Sequence, residues 1–232
     1  MEYDFAAGEI LLLDKPLDWT SFDVVKKVRN TLRVKKIGHA GTLDPLATGL
    51  LILCTGKYTK RIEEIQAQEK EYTGTIRLGE TTPSYDRETE VTETRDISHI
   101  AEEAIEAAAQ GFVGTIEQVP PIYSAVMVDG KRAYDLARKG KSAELKPRTI
   151  TIKAFDITAV EGAEVHFRVV CTKGTYIRSL AYDLGQALGC GAHLSSLVRT
   201  RIGDYRLEAA LSIEDIQEIR RKQTEAANGS NP

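Results

Sequence analysis

Apolar side chains spaced three or four positions apart predict the helices of this chain. The first series follows Thr20 and Ser21, residue types that often cap a helix N-terminus. The apolar residues that we expect this helix to bury are Phe22, Val25, Val28 and Leu32. The most regular series begins at Ile177 and ends before Gly189, a residue type that commonly terminates helices. Further helices are predicted over residues 57–68, 98–111 with Ser98 as cap, 133–139, and 213–222 with Ser212 as cap.

Alternation of apolar and polar residues predicts half-buried β-strands in other parts of the chain. The segments with this alternation are residues 69–79, 123–128, 149–159 and 163–171, and a short apolar strand is predicted over 8–13. Glu161 and Gly162 separate two of these strands and mark a hairpin turn. Strand pairs interspersed with helices agree with an α+β layout, although they do not select one particular fold.

A glycine-bracketed loop with a single carboxylate lies over residues 38–49, ahead of a continuous apolar run. Pro45 disfavours the α region for Asp44 and pushes that residue toward an extended or turn conformation. The glycines of the loop allow positive φ angles or a close approach between backbone and ligand. Because loops on a rigid frame often display catalytic groups, Asp44 is a candidate for one. The alternative is that Asp44 only caps the turn before Pro45.

The net charge of −3 argues against a uniformly basic nucleic-acid-binding protein, so any RNA site must be a local patch. Basic residues are dense over 26–36 and densest over 131–148, where Tyr134 is interleaved among them. Each of these segments could contact phosphates, and each could instead be a solvated face. Residues 86–106 are rich in acidic side chains and are expected to face away from RNA.

Length and cysteine content limit the remaining possibilities. A chain of 232 residues is long enough for one large domain or for one and a half. Its three cysteines are widely spaced and lack a C-x-x-C pair, which indicates reduced, buried thiols and neither a disulfide framework nor a zinc site. No apolar run approaches membrane-span length, and the N-terminus lacks a signal-peptide pattern. We therefore expect a soluble cytoplasmic protein.

The sequence Gly-His-Ala-Gly-Thr-Leu-Asp-Pro-Leu-Ala-Thr-Gly over 38–49 resembles the catalytic motif of the TruB family of tRNA pseudouridine synthases, G-[HT]-x-G-x-L-D-P-x-A-x-G. Further stretches that resemble the family in the same order are Leu-Asp-Lys-Pro at 13–16, Lys-Glu-Tyr at 70–72, Val-Pro-Pro-Ile-Tyr-Ser-Ala at 119–125 and Gly-Thr-Tyr-Ile-Arg-Ser-Leu at 174–180. Residues 193–197 are similar to the family's last motif, although Val198-Arg199 stands where paired arginines are usual. Many members have T-D-T-x-D where this chain reads Thr-Thr-Pro-Ser-Tyr-Asp at 81–86, so only Asp86 matches and any role of the earlier aspartate is in doubt.

The resemblance covers residues from about 8 to about 219 and implies the pseudouridine synthase fold. This is an α+β fold with a mixed, largely antiparallel sheet, flanking helices and a central active-site cleft. We expect one catalytic domain over 1–222, with a segment at about 129–148 that is either a thumb-like insertion gripping the RNA or a solvated hairpin. Residues 223–232 are small and polar and are expected to form a disordered tail, too short for the PUA domain of many relatives.

The resemblance also implies roles for individual residues. Asp44 would attack C1′ of the target nucleotide or assist formation of a glycal, and Arg178 would keep Asp44 ionised and oriented. Tyr72 would stack on the flipped base and move a proton, unless it only packs in the core. The other residues expected at the substrate are His39, Tyr176, Leu197, Asp86 and Lys15. Of these, His39 would stack into the T loop or be structural, and Lys15 would support the site or be a solvated lysine.

The activity implied by the resemblance is conversion of a uridine in the tRNA T loop, at position 55, to pseudouridine. The C1′–N1 bond is cleaved and the base rejoined through C5, which requires the target nucleotide to be flipped out of the loop. The tRNA T stem-loop is the expected partner of a monomeric protein, with no metal, small-molecule cofactor or membrane. One alternative is a non-catalytic tRNA-binding protein or RNA-folding chaperone on the same fold. An aspartate phosphotransferase is disfavoured because Leu46 stands where its second aspartate is usual.

Overall fold

The computed structural model describes residues 3–128, 130–140 and 144–229. The strands are β1 (Ile10–Lys15), β2 (Ile37–His39), β3 (Ala47–Thr55), β4 (Lys70–Leu78), β5 (Glu80–Thr81), β6 (Glu93–Thr94), β7 (Gly114–Gln118), β8 (Met127–Val128), β9 (Lys131–Arg132), β10 (Arg148–Glu161), β11 (Glu164–Cys171), β12 (Ala192–Ile202) and β13 (Tyr205–Arg206). The helices are α1 (Ser21–Leu32), α2 (Ile62–Ala67), α3 (Glu102–Gln110), α4 (Ala133–Ala137), α5 (Ile177–Ala187) and α6 (Ile213–Gly229), with short 3-10 helices at Gly56–Arg61 and Leu207–Ala209. These elements form two compact units. The first unit comprises the residues up to Lys70 together with those from Val198 onward, and the second unit comprises Glu71–Leu197.

Helix α1 starts with a capping box. Thr20 Oγ1 accepts the N–H of Asp23, and the Asp23 carboxylate accepts the N–H of Thr20, so the predicted cap is confirmed. The prediction that Phe22 is buried is wrong, because its side chain is 62% exposed. The residues that α1 buries are Ser21, Val24, Val25, Val28 and Leu32. Ser21 faces inward and bonds to Leu43, so Phe22, about 100° further round the helix, points outward.

In the first unit, the apolar run of β3 is buried on both of its faces. The strand order is β1-β3-β12, with β1 antiparallel to β3 so that Ile10 lies opposite Cys54. Leu51 and Leu53 belong to a core cluster with residues of α1 and α6. The intervening Leu50, Ile52 and Cys54 belong to a second cluster, which also contains Ile65 and Ile202. Burial on both faces explains why this strand reads as continuous apolar sequence rather than as an alternation.

In the second unit the strand order is β12-β4-β11-β10-β7, and β12 contributes residues to both units. β10 and β11 form the predicted hairpin, with Glu161 opposite Glu164. Phe155 and Phe167 pack edge to face from these two strands, their ring centroids 5.9 Å apart. β7 is antiparallel to β10. A largely antiparallel sheet with flanking helices confirms the predicted α+β class.

Two predicted boundaries in the second unit are wrong. Helix α3 begins at Glu102 rather than near residue 98, because the N–H and the hydroxyl of Ser98 bond to the Asp96 carboxylate in a local turn instead. The predicted strand over 123–128 is reduced to Met127–Val128. The carbonyl of Ser124 accepts an N–H from the start of α4 rather than from a strand.

The predicted helix over 57–68 also differs from what is observed. Its first part is the 3-10 helix Gly56–Arg61, and only Ile62–Ala67 is α-helical. Helix α4 ends at Ala137, two residues before the predicted end. Asp129 and residues 141–143 of the thumb-like segment lie outside the described residues.

The last helix, α6, is longer than predicted. Ser212 caps it as expected, through reciprocal bonds with Asp215 at 2.8 and 3.0 Å. The helix continues to Gly229, so the prediction of a disordered tail is wrong over residues 223–229, while 230–232 lie outside the described residues. Arg221 pairs with Glu218 and Glu225 along the exposed face, which stabilises this polar turn. Across the described part of the chain, no helix combines the length and apolarity needed to cross a bilayer.

Candidate active site

Hydrogen bonds fix the backbone on both sides of Asp44. Ser21 Oγ accepts the N–H of Leu43 at 2.9 Å and donates to the Leu43 carbonyl at 3.1 Å. On the other side, the Pro45 carbonyl accepts the N–H of Asp18 at 2.9 Å. Asp44 is half-buried between these anchored neighbours. A carboxylate on a fixed backbone is already oriented before a substrate binds.

Arg199, from β12, holds the same loop from the protein interior. It is 1% exposed, and its guanidinium donates to the carbonyls of Leu50 at 2.8 Å, Gly41 at 3.0 Å and Thr42 at 3.3 Å. A Cβ atom at Gly49 would lie 2.5 Å from the Arg199 carbonyl oxygen, so this close approach requires glycine. A planar guanidinium can bond to carbonyls in several directions at once. One side chain thereby fixes the backbone before and after Asp44.

Lys15, at the end of β1, is fully buried. Its Nζ donates to the carbonyls of Pro16 at 2.9 Å, Trp19 at 2.6 Å and Pro45 at 3.3 Å. Burial lowers the pKa of this ammonium group to about 8, although the nearby Asp44 carboxylate opposes the shift. Protein carbonyls thus accept hydrogen bonds from all of its N–H groups, and the expected role of Lys15 at the substrate stays a prediction.

His39 ends β2, which pairs with β3 so that His39 lies opposite Leu53. The imidazole is half-buried. Burial and the positive charge of Arg199 lower the pKa of the His39 ring below its usual value. His39 is therefore neutral at pH 7, and a neutral flat ring is suited to stacking on a base. Its predicted insertion into the T loop stays a prediction.

In the second unit, Arg178 lies in the first turn of α5 and is 6% exposed. Its Nε is 3.6 Å from the Asp86 carboxylate, and its Nη1 donates to the Ser84 carbonyl at 3.2 Å. A cation at a helix N-terminus opposes the helix dipole, and the structure places the Asp86 carboxylate beside this one. The additional prediction that Arg178 orients Asp44 stays a prediction. Asp86, expected at the substrate, is itself buried against Arg178.

The segment 82–89 around Asp86 is tightly organised despite its departure from the family pattern. Thr82 Oγ1 donates to the Asp86 carbonyl at 2.6 Å. Tyr85 has a φ of 64°, unusual for a residue that is not glycine, and its ring stacks on Tyr182 with centroids 4.0 Å apart. Tyr182 and Arg178 are one turn apart on α5 and share a face of that helix. The two side chains together dock this segment on α5.

Three other predicted residues also belong to the second unit. Tyr72 is on β4, 9% exposed, with a ring that is largely packed. Tyr176 is half-buried and precedes α5; its N–H donates to Gln118 Oε1 at 2.8 Å, and its carbonyl accepts from Gln118 Nε2 at 3.1 Å. Leu197 is half-buried on β12. Gln118 therefore positions the start of the helix that carries Arg178.

The described part of the thumb-like segment is tied to the Asp86 region. The Tyr134 hydroxyl donates to the Glu88 carboxylate at 3.2 Å. Arg138 lies over the Tyr134 ring at 4.6 Å and 3.9 Å from the same carboxylate. Tyr123 meets Tyr134 edge to face. These contacts are exposed and so contribute little to stability.

The structure brings together some of the predicted site residues within each unit. In the first unit these are Asp44 and Lys15, with His39 near the Arg199 that holds their loop, and in the second they are Asp86 and Arg178. Sequence reasoning missed the supporting roles of Ser21 and Arg199. A signal existed for Arg199, because a charged residue in a strand that enters the core must find hydrogen-bond partners there. Among the described residues, no cluster of three His, Cys, Asp or Glu side chains could hold a metal ion.

Comparison with known proteins identifies two family models along the chain. Residues 29–177 match "TruB family pseudouridylate synthase (N terminal domain)". Residues 178–229 match "tRNA pseudouridylate synthase B C-terminal domain". The first match contains Asp44, and the second begins at Arg178.

Curated relatives match over most of their length. The protein named tRNA pseudouridine synthase B of Phocaeicola vulgatus is 57% identical over 221 residues, which is 93% of this chain and 94% of the relative. The protein of the same name from Flavobacterium johnsoniae is 53% identical, over 93% and 97%. Among solved structures, a Cbf5-Nop10-Gar1 complex contains a chain that is 31% identical, with a TM-score of 0.73. That alignment covers 97% of this chain but only 57% of the other, so this chain spans little more than half its length.

Proposed function

The chain belongs to the TruB family of pseudouridylate synthases, and on this premise we propose that it converts a uridine of the tRNA T loop, position 55, to pseudouridine with Asp44 as the catalytic carboxylate. One observation carries the assignment of Asp44. Its half-buried side chain stands on a backbone that Ser21, Lys15 and Arg199 hold through hydrogen bonds to its neighbours. Enzymes hold reacting groups in this way before substrate arrives.

The reaction rearranges one nucleotide without adding or removing atoms overall. The C1′–N1 bond breaks, the detached base turns, and a C1′–C5 bond forms; N1 gains a proton and C5 loses one. An Asp44 oxygen would bond to C1′ in the manner of a retaining glycosidase carboxylate, or would assist formation of a glycal. Either route needs an anionic group at C1′, and Asp44 is the carboxylate of the best-matched motif.

We assign supporting roles to residues of both units. Tyr72 would stack on the detached base and move the C5 proton, with Tyr176 as a second aromatic contact and Leu197 as an apolar one. Arg178 would be a positioning residue, and its bonds to Asp86 and Ser84 support this role because they hold the guanidinium in one orientation. His39 would stack into the T loop in its neutral form.

The partner we propose is the T stem-loop of tRNA, bound by a monomer in the cytoplasm without a small-molecule cofactor. The purified protein should form pseudouridine at the T-loop uridine of an unmodified tRNA transcript with no added nucleotide or redox reagent. Pseudouridine mapping by chemical modification and primer extension measures the product and its position. Product at another position, or none, would contradict the proposal. Light scattering coupled to size-exclusion chromatography measures the molar mass of the protein in solution and would test whether it is a monomer.

A further inference from the structure

A cationic cleft lies on the first unit, outside the loop of Asp44. Its volume is about 880 Å³, and it is lined by the N-terminal segment, the end of α1, the following basic run and α6. The cations that line it are Arg33, Lys35, Lys36 and Arg220. Arg220 comes from a part of the chain far from the other three, so only folding assembles this group.

These cations are not neutralised by the protein. Within residues 3–128, 130–140 and 144–229, none of the four has a carboxylate within ion-pair distance. Asp4 is the acidic residue among those lining the cleft, and its carboxylate accepts the N–H of Ala7 in a local turn. Unpaired positive charge concentrated in a concave surface attracts anions strongly.

Arg221, the neighbour of Arg220 on α6, has the carboxylate partners that the cations of the cleft lack within the described part of the chain. Arg221 pairs with Glu218 at 2.7 Å and with Glu225 at 3.1 Å, and Lys222 lies 3.4 Å from Glu218. Neither residue lines the cleft. Lys26 and Lys27, also on α1, line a separate pocket that contains Asp18 and Asp23. The four cations of the cleft thus differ from Arg221 and Lys222, which have carboxylate partners on the same helix.

We propose that this cleft binds the phosphodiester backbone of the T arm, away from the nucleotide that reacts; this inference rests on the proposed function. Lys36 directly precedes β2, and Asp44 follows the end of that strand. β2 alone spans about 10 Å, and the eight residue steps from Lys36 to Asp44 reach at most about 27 Å. That upper limit corresponds to at most about eight base-pair steps of a duplex. The stem that carries the target loop is therefore the RNA within reach.

The test compares two double variants with the same change of charge. Lys35→Gln with Arg220→Gln removes two cations of the cleft. Arg221→Gln with Lys222→Gln removes two cations from the same region of α6 that pair with carboxylates. Binding of each variant and of the wild type to full-length tRNA and to an isolated T stem-loop is measured over a series of salt concentrations. Thermal unfolding confirms that all three proteins are folded.

We expect the cleft variant to bind both RNAs about tenfold more weakly at low salt, with a salt slope smaller by about two. The matched variant should stay within about twofold of wild type. Equal behaviour of the two variants would overturn the proposal, and so would a loss confined to full-length tRNA, which would place the contact outside the T arm. Pseudouridine formation by the wild type is scored separately, so the cleft and the proposed activity can fail independently.

Discussion

Two buried cations, Arg199 and Lys15, determine where Asp44 stands. Both donate hydrogen bonds to carbonyls of the segments that flank Asp44. Burying such charges is costly unless every donor finds a partner, and here the partners are backbone oxygens rather than carboxylates. These two buried cations therefore have a structural role: their N–H groups hold the backbone on which Asp44 stands in a fixed position.

Arg199→Lys should show that the shape of the guanidinium matters as much as its charge. An ammonium group cannot reach the carbonyls of Leu50, Gly41 and Thr42 together, so buried acceptors lose their donors. We expect the free energy of unfolding to fall by about 2–4 kcal/mol and kcat to fall by at least about tenfold. Denaturant unfolding and single-turnover rates measure the two effects. The control is Arg206→Lys at an exposed position, expected to change stability by less than about 0.5 kcal/mol.

The lowered pKa of Lys15 predicts a pH-dependent stability. The pKa in the folded protein is about 8, whereas an unfolded chain keeps the proton to about pH 10.4. Between these values the unfolded state binds more protons, so the free energy of unfolding rises with pH. Compared with Lys15→Met, the wild type should gain about 2 kcal/mol from pH 7 to pH 10. A difference between the two proteins that stays constant or changes in the opposite direction would contradict a lowered pKa.

The sequence identifies Asp44 as the proposed catalytic residue, but it does not identify Ser21 and Arg199, which hold the backbone around Asp44. Glycines and a proline around Asp44 are local signals, readable in one stretch. Arg199 bonds to residues about 150 positions away, and periodicity carries no information about such partners. The sequence pattern predicts Phe22 to be buried because its side chain is apolar. In the structure the polar Ser21 faces inward instead, where it bonds to Leu43.

At the scale of elements, helix α1 connects stability to the site through two adjacent residues with separate tasks. Thr20 caps the helix and makes a reciprocal bond with Asp23. Ser21 bonds to both backbone groups of Leu43, the residue before Asp44. The start of this helix thus serves as an anchor for the loop as well as a boundary of the core.

Thr20→Ala and Ser21→Ala should separate these tasks. Loss of the cap is expected to lower stability by about 1 kcal/mol with little change in kcat, because the loop contacts remain. Loss of the Ser21 hydroxyl should lower stability by a similar amount and also reduce kcat, since Leu43 loses both partners. Measured kcat values at saturating tRNA compare the two. Equal kcat values in both variants would show that the Ser21 bonds do not position Asp44.

Element type was more predictable than element ends. The alternation over β10 and β11 and the helical periodicity of α5 identified those elements correctly because each has one buried face. The sequence did not predict the end of α6 because residues 223–227 bury little apolar surface. They are held instead by ion pairs and by Gln223, whose side chain donates to the Tyr3 carbonyl at 3.0 Å. The polar, small-residue composition of this segment predicts disorder, although the segment is the end of a helix.

At the scale of the whole molecule, an overall charge of −3 coexists with concentrated positive patches. Basic side chains elsewhere in the chain offset part of the negative charge of residues 86–106. The sequence does not predict the cationic cleft, because Arg220 joins the other three cations only when the chain folds. RNA binding by such a protein depends on local potential rather than on net charge. Catalysis, in contrast, is assigned to one carboxylate, and binding and chemistry should therefore be separable.

Asp44→Asn tests the central claim most directly, because the amide keeps the shape of the side chain and removes its negative charge. Pseudouridine at the T-loop uridine is mapped in a tRNA transcript incubated with the variant or the wild type, and tRNA binding is measured alongside. We predict that binding stays within about threefold of wild type while product formation falls below roughly a thousandth of the wild-type rate. Turnover above that level, with deamidation of the variant excluded by mass spectrometry, would mean that a group other than Asp44 performs the chemistry.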